Sequence, residues 1–208
     1  DQYRAKSSAF YINFNKLRKP GVSDIRVSRA FSQLSLGRSF CEFNSGDLFL
    51  DIGPGKGGSF SVANALFSKP SLHAIEFSRD ANDYYMKNFK AESHSSLEDF
   101  AKCGNKAKIV LMSHSLEHFR IPDLPELFIE LRQAMSSDAV IVVEVPNVDM
   151  RIHCYNRGPD TPHLLFFSKQ SLRQLFEKNG FSVLFADTYG PMYSEHQKDG
   201  VASASSDL

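Results

Sequence analysis

The residues best suited to chemistry cluster where a short apolar run gives way to glycine. Asp47-Leu48-Phe49-Leu50-Asp51-Ile52 runs directly into Gly53-Pro54-Gly55-Lys56-Gly57-Gly58, so Gly53, Gly55 and Gly58 fit G-x-G-x-x-G between a strand and a helix. Glycines there let the backbone turn tightly and bring a ligand against the main chain with no Cβ in the way. A carboxylate, Glu76, closes the next apolar run, Leu72-His73-Ala74-Ile75-Glu76. It lies about 20 residues beyond the glycines, where an acid can accept hydrogen bonds from a ribose diol. The loop is not a phosphate cradle of the G-x-x-x-x-G-K type, because Lys56 is followed by Gly57 and not by Ser or Thr. Asp51 stands two residues before the first glycine, at the end of the strand. A carboxylate there is poorly placed beside a pyrophosphate and well suited to a cationic or amine-bearing ligand.

S-adenosylmethionine has that chemistry: an α-amino group, a sulfonium and a ribose, with no phosphate. Transfer of its methyl is an in-line displacement, so the protein must align the nucleophile within about 3–3.5 Å and exclude water. Where the acceptor must also lose a proton, histidine is suited near neutral pH. The candidates are His114, His118, His153 and His163. His114 is preferred because it ends a central strand, and His163 is placed to close the pocket from above. Glu117, His118, His114 and Asp149 together suggest a metal, but no spacing forces a ligand set, so none is expected. Arg151, Tyr155 and Arg157 lie in the long Pro146–Pro162 connection, where the arginines suit a substrate carboxylate or phosphate.

These groups need elements to position them, and the chain from Gly46 onward alternates apolar runs with helical spacing. Helices are expected at Ser59–Phe67, Ala81–Asn88, Leu124–Met135 and from a Ser168 cap to Lys178. Strands are expected at Asp47–Ile52, Leu72–Glu76, Lys108–Met112, Ala139–Val145 and Phe181–Phe185, with a fainter one at Phe89–Ser93. Ala139–Val145 is apolar on both faces, as in a central parallel strand. This order predicts an α/β, doubly wound, mainly parallel sheet with helices on both faces, whose ligands sit at the carboxyl ends of the strands. Two helices fit the basic N-terminal segment, at Ser7–Leu17 and Ser23–Leu36, separated by Pro20-Gly21. The domain plan is a helical cap over residues 1–40, a cofactor domain over 41–190 and a Ser/Ala-rich tail over 191–208.

Composition bounds the function classes. Of 208 residues, 42% are hydrophobic and 18 are Phe, enough for a real core without staples. Twenty-four basic residues balance 24 acidic ones, which argues against nucleic-acid binding by bulk charge. The balance is uneven along the chain: Arg4, Lys6, Lys16, Arg18, Lys19, Arg26, Arg29 and Arg38 face only Asp1 and Asp24 in the first 40 residues. Cys41, Cys103 and Cys154 form no CxxC pair, so neither a disulfide framework nor a thiolate zinc site is suggested. No apolar run approaches the roughly 20 residues needed to span a bilayer, and no signal-peptide pattern stands at the start. A soluble, cytoplasmic protein is expected.

Several segments then match one family in register. Leu50–Gly58 resembles the first motif of class I S-adenosylmethionine-dependent methyltransferases, and Ala74-Ile75-Glu76 resembles their ribose-binding strand end. Ser113-His114-Ser115-Leu116-Glu117-His118-Phe119 is similar to the Leu-Glu-His segment of the ubiquinone and menaquinone biosynthesis type. Leu131–Met135 with Val143-Glu144-Val145-Pro146-Asn147, and His163–Ser168 with Ser171-Leu172 and Asn179-Gly180-Phe181, resemble that group's later motifs. The resemblance implies that Asp51, Gly53 and Gly55 border the methionine part of the cofactor and that Glu76 holds the ribose. It implies that Phe77 covers one face of the adenine. The adenine-edge position falls within Ser95-Ser96-Leu97-Glu98, taken here as Ser96. Ser113 and His114 line the cleft between cofactor and acceptor. Two departures stand out: Ser136-Ser137-Asp138 replaces a common Pro-Gly-Gly turn, and no seventh strand is found beyond Tyr189.

The leading reading is therefore a methyltransferase acting on a small molecule at oxygen, nitrogen or carbon. The alternatives are an RNA or protein methyltransferase docking through the basic N-terminal segment, and a non-catalytic module of the same fold. A nicotinamide-dependent oxidoreductase is disfavoured by Asp51. The fourth-strand end lacks an Asn/Asp-Pro-Pro-Tyr-like sequence, which argues against RNA.

Overall fold

The computed structural model describes residues 24–147 and 163–188. Its strands are β1 (Leu48–Ile52), β2 (Ser71–Ile75), β3 (Glu92–His94), β4 (Ala107–Ser113) and β5 (Met135–Glu144). They form one sheet in the order β3-β2-β1-β4-β5, and every ladder in it is parallel. Parallel neighbours need crossover connections. Helices supply them: α1 (Asp24–Arg38) precedes the sheet, and α2 (Gly58–Leu66), α3 (Arg79–Phe89), α4 (Leu97–Lys102), α5 (Leu124–Ala134) and α6 (Lys169–Lys178) follow in chain order.

Alternation along the strands divides the core into two layers. Leu50, Ile52, Val110 and Met112 face one side with Phe100 of α4, Leu127, Phe128 and Leu131 of α5 and Phe176 of α6. Phe49, Leu72, Ala74, Ile109 and Leu111 face the other with Ala30 and Leu34 of α1, Phe60 and Ala63 of α2 and Tyr85 of α3. Helices therefore cover both faces, as a doubly wound sheet requires. The expected helix at Ser23–Leu36 is α1, and it belongs to this core. A Cβ on Gly37 would lie 2.9 Å from Val142 Cγ2, so the glycine lets α1 approach β5 closely.

Four elements differ from expectation, each for a local reason. The third strand is Glu92–His94, not Phe89–Ser93: Phe89 ends α3 with its ring 5.7 Å from that of Phe60, and Lys90 at φ 59° stops the helix. Ser136-Ser137-Asp138 is no separate turn but lies within β5. Ala107 pairs with Met135 and Ile109 with Val140, so the ladder slips across these residues as a bulge. β5 is a sheet edge among the described residues, with Val142 its one buried residue, whereas its apolar run predicted a central strand. Phe181–Phe185 forms no strand. Phe181 is held instead by a backbone bond to the Phe176 carbonyl and by ring contacts with Phe128 and Phe176. Ser7–Leu17 and the expected tail lie outside the described residues. Cys41 and Cys103 are free thiols.

Candidate active site

After β1 the chain builds outward to β2 and β3, then returns to place β4 and β5 on the other side of β1. The crevice where the strand order reverses, at the carboxyl ends of β1 and β4, is where such sheets bind ligands. The glycine loop opens there. Gly53, Gly55 and Gly57 take φ of 77°, 59° and 71°, a left-handed run that side-chain-bearing residues resist. Tyr85 pins the loop to α3 by donating its hydroxyl to the Gly55 carbonyl at 2.7 Å.

Asp51 is buried at the end of β1 and accepts a hydrogen bond from Ser59 Oγ. Burial pushes its carboxyl up to about 7, the Ser59 hydroxyl opposes this, and the nearby charge of Glu76 adds to it. Glu76 follows β2 and accepts the backbone N–H groups of Phe77 at 2.8 Å and Ser78 at 3.1 Å through Oε1. Ser78 in turn caps α3. Phe77, directly beside Glu76, is 68% exposed and offers an open aromatic face. Ser96 caps α4 by accepting the Asp99 N–H at 3.0 Å, beyond the edge strand β3.

Across the crevice a second network fixes the end of β4. Gln33 of α1 donates from Nε2 to Ser113 Oγ at 2.8 Å and to Glu144 Oε2 at 2.7 Å. Arg29 Nε lies 3.3 Å from Glu144 Oε1. His114 has φ 56°, and its N–H donates to the Glu144 carbonyl at 2.8 Å. Its ring bridges two acids, with Nε2 3.2 Å from Glu144 Oε1 and Nδ1 3.4 Å from Glu117 Oε1. Burial pulls this imidazole's pKa down, but Glu117 and Glu144 together outweigh it and hold it at about 9. His163 arrives by a separate route: the Leu164 and Leu165 N–H groups bond to the Glu117 carbonyl at 2.8 and 3.0 Å. That sets His163 Nε2 3.8 Å from Glu117 Oε1, with its ring 5.0 Å from that of His118.

Asp51 lies near the end of β1, Gly53 and Gly55 follow that strand, and Glu76 and Phe77 follow β2. Ser113 and His114 stand at the end of β4, and His163 joins them through Glu117. Asp149, Arg151, His153, Tyr155 and Arg157 lie outside the described residues. Sequence reasoning passed over Gln33, Arg29 and Glu144. Glu144 had a signal, since it ends β5 as Glu76 follows β2; the α1 pair had none, because their partners are far away in sequence.

Residues 27–185 match a methyltransferase domain family. The chain belongs to this family. Among solved structures, the methyltransferase is similar to a SAM-dependent methyltransferase from Archaeoglobus fulgidus at 18% identity, covering 86% of this chain and 85% of that one with a TM-score of 0.61. It is also similar to the cyclopropane synthase MmaA2 from Mycobacterium tuberculosis, at 13% identity, 90% and 75% coverage and a TM-score of 0.61. A third is the plantazolicin methyltransferase BpumL in complex with a pentazolic desmethylPZN analog and SAH, at 20% identity, 84% and 68% coverage and a TM-score of 0.59. At these identities the likeness is one of fold. No curated protein sequence matches the chain. Among the described residues, no helix of the methyltransferase is long and apolar enough to cross a membrane.

Proposed function

We propose that this methyltransferase transfers a methyl group from S-adenosylmethionine to a small-molecule acceptor bearing an oxygen, nitrogen or carbon nucleophile. The observation that carries the reading is the pair of carboxylates closing β1 and β2 around a left-handed glycine loop. The donor set fits the cofactor. Asp51 is a buried acid with one hydroxyl donor on its carboxylate, suited to the amino end of the methionine part. Gly53 and Gly55 leave the main chain open beside it, Glu76 is aimed by two amides toward a ribose diol, and Phe77 offers a face for the adenine. Ser96 is assigned to the adenine edge, where its hydroxyl proton can still donate while its oxygen caps α4. When bound, the cofactor supplies an electrophilic methyl, whose bond to sulfur breaks with its electrons going to sulfur as the acceptor's lone pair forms the new bond.

Ser113, His114 and His163 would face the acceptor. Gln33 and Glu144 fix Ser113 and His114, so the acceptor meets side chains whose positions are set before it binds. His114 and His163 are the catalytic groups of this reading: His114, kept protonated by Glu117 and Glu144, orients the acceptor as a donor, and His163 closes the pocket over it. A small acceptor is favoured over RNA because two basic groups of α1 are engaged by the fold itself. Arg29 pairs with Glu144, and Arg38 donates to the Leu66 carbonyl at 3.0 Å. Incubating the protein with methyl-labelled S-adenosylmethionine and a cell extract tests this reading. Label is expected in the small-molecule fraction; label confined to RNA or protein would overturn it.

A further inference from the structure

We infer that Glu117, His118 and His163 form a binding site for one first-row divalent metal ion at the acceptor side of the crevice. The first observation concerns Glu117. Its side chain is 1% exposed; Oε1 has the His114 and His163 imidazoles at 3.4 and 3.8 Å, neither in hydrogen-bond geometry, and Oε2 has no hydrogen-bond partner among the described residues. A buried carboxylate whose oxygens make no hydrogen bond is costly even beside an imidazole, and such groups commonly ligate metals. The second observation is what surrounds it. One ligand atom from each of Glu117, His118 and His163 falls within 4.8 Å of the others. Ligands bound at about 2.0–2.2 Å from a zinc-like ion lie roughly 3–4 Å apart, so small side-chain rotations close this set. The separation of His163 Nε2 from Glu117 Oε1, 3.8 Å, already lies in that range.

The chain brings the ligands together through two unrelated devices. Glu117 and His118 share the single 3-10 turn Leu116–His118 after β4. His163 is delivered by the two backbone bonds that the Glu117 carbonyl accepts. The residue that supplies the buried acid therefore also anchors the segment that supplies the second imidazole. Two imidazoles and one carboxylate suit zinc, iron or nickel, and three protein ligands leave positions open for an acceptor oxygen. The site rests on this geometry alone; only its placement on the acceptor side rests on the methyl-transfer reading.

A second cluster, His73, Glu92 and His94, differs in its carboxylate, since Glu92 is 64% exposed where Glu117 is buried. There His73 Nδ1 lies 3.0 Å from His94 Nε2 and His73 Nε2 lies 3.0 Å from Ser71 Oγ, so both His73 nitrogens already have partners. The test is a titration of Co2+ into metal-stripped protein without cofactor, read by visible absorption of the bound ion and by metal analysis. One ion per chain is expected. His163→Ala, His118→Ala and Glu117→Gln should each weaken it by more than about 100-fold, above the 10–100-fold cost of losing an outer-shell partner. The paired His73→Ala and His94→Ala change and the single Asp51→Ala change should leave it intact. Far-UV circular dichroism establishes that each variant is folded, and the half-exposed His163 keeps the test open if Glu117→Gln fails to fold. No saturable signal below about 1 mM Co2+, or undiminished binding in His163→Ala, would overturn the site. Because Asp51→Ala removes cofactor binding only, failure of the metal site and failure of the methyl-transfer reading give different results.

Discussion

At the scale of single residues, the account turns on Asp51. Its carboxyl holds a proton up to about 7 in the folded chain and releases it near 3.8 when unfolded. The raised value means that stability from this group is complete below the unfolded pKa and is lost as pH rises toward 7. A cationic ligand reverses the penalty by pairing with the charged form. The thermal shift produced by S-adenosylmethionine is therefore expected to grow between pH 5.5 and 8, and a flat profile would count against Asp51 as the amine's partner. Asp51→Asn should weaken cofactor binding by roughly 10–150-fold, the worth of a hydrogen bond to a charged group, with the fold retained by circular dichroism. His114 offers a separate readout. His114→Ala should slow transfer while leaving cofactor affinity within about threefold, because its contacts are with Glu117 and Glu144 and not with the glycine loop.

At the scale of elements, α1 is what the cofactor loop does not explain. It packs Ala30 and Leu34 into the sheet face and extends Gln33 to both Ser113 and Glu144. Gly37→Leu forces a side chain into the Val142 contact and is expected to cost about 1–3 kcal/mol in chemical denaturation. Gln33→Leu should instead leave stability nearly intact, lower kcat and spare cofactor affinity. Much of this layer was legible in the sequence, since β1, β2 and β4 are short apolar runs between turn signals and the glycine loop sits directly after one of them. What was not legible depends on partners distant along the chain. The bulge at Ser136–Asp138 follows from how β5 meets β4, and Phe181, outside any strand, packs its ring against Phe128 and Phe176. The network of Gln33, Arg29 and Glu144 likewise has no spacing that announces it. The segment at His163 was singled out as chemistry, but its link to Glu117 exists only through backbone bonds.

At the scale of the whole molecule, 24 basic residues balance 24 acidic ones, and acids gather at the strand ends among the described residues. Asp51, Glu76, Glu117 and Glu144 all stand at or just beyond the carboxyl ends of strands, where the sheet presents its ligand crevice. That field suits a cationic cofactor, and with a metal on Glu117 it would suit an acceptor oxygen; it does not suit a polyphosphate backbone. RNA binding by the chain is accordingly expected to be weak and to lack the steep salt dependence of phosphate recognition, as a gel-shift series across ionic strength would reveal. Tight, strongly salt-dependent binding would return the acceptor to the nucleic-acid class. The central claim, that the carboxylates closing β1 and β2 hold S-adenosylmethionine, is tested most directly by calorimetric titration of the cofactor into the native chain and the Asp51→Ala, Glu76→Ala double variant. One bound molecule per native chain and no detectable heat in the folded double variant is the predicted result; unaltered binding in the double variant would contradict it.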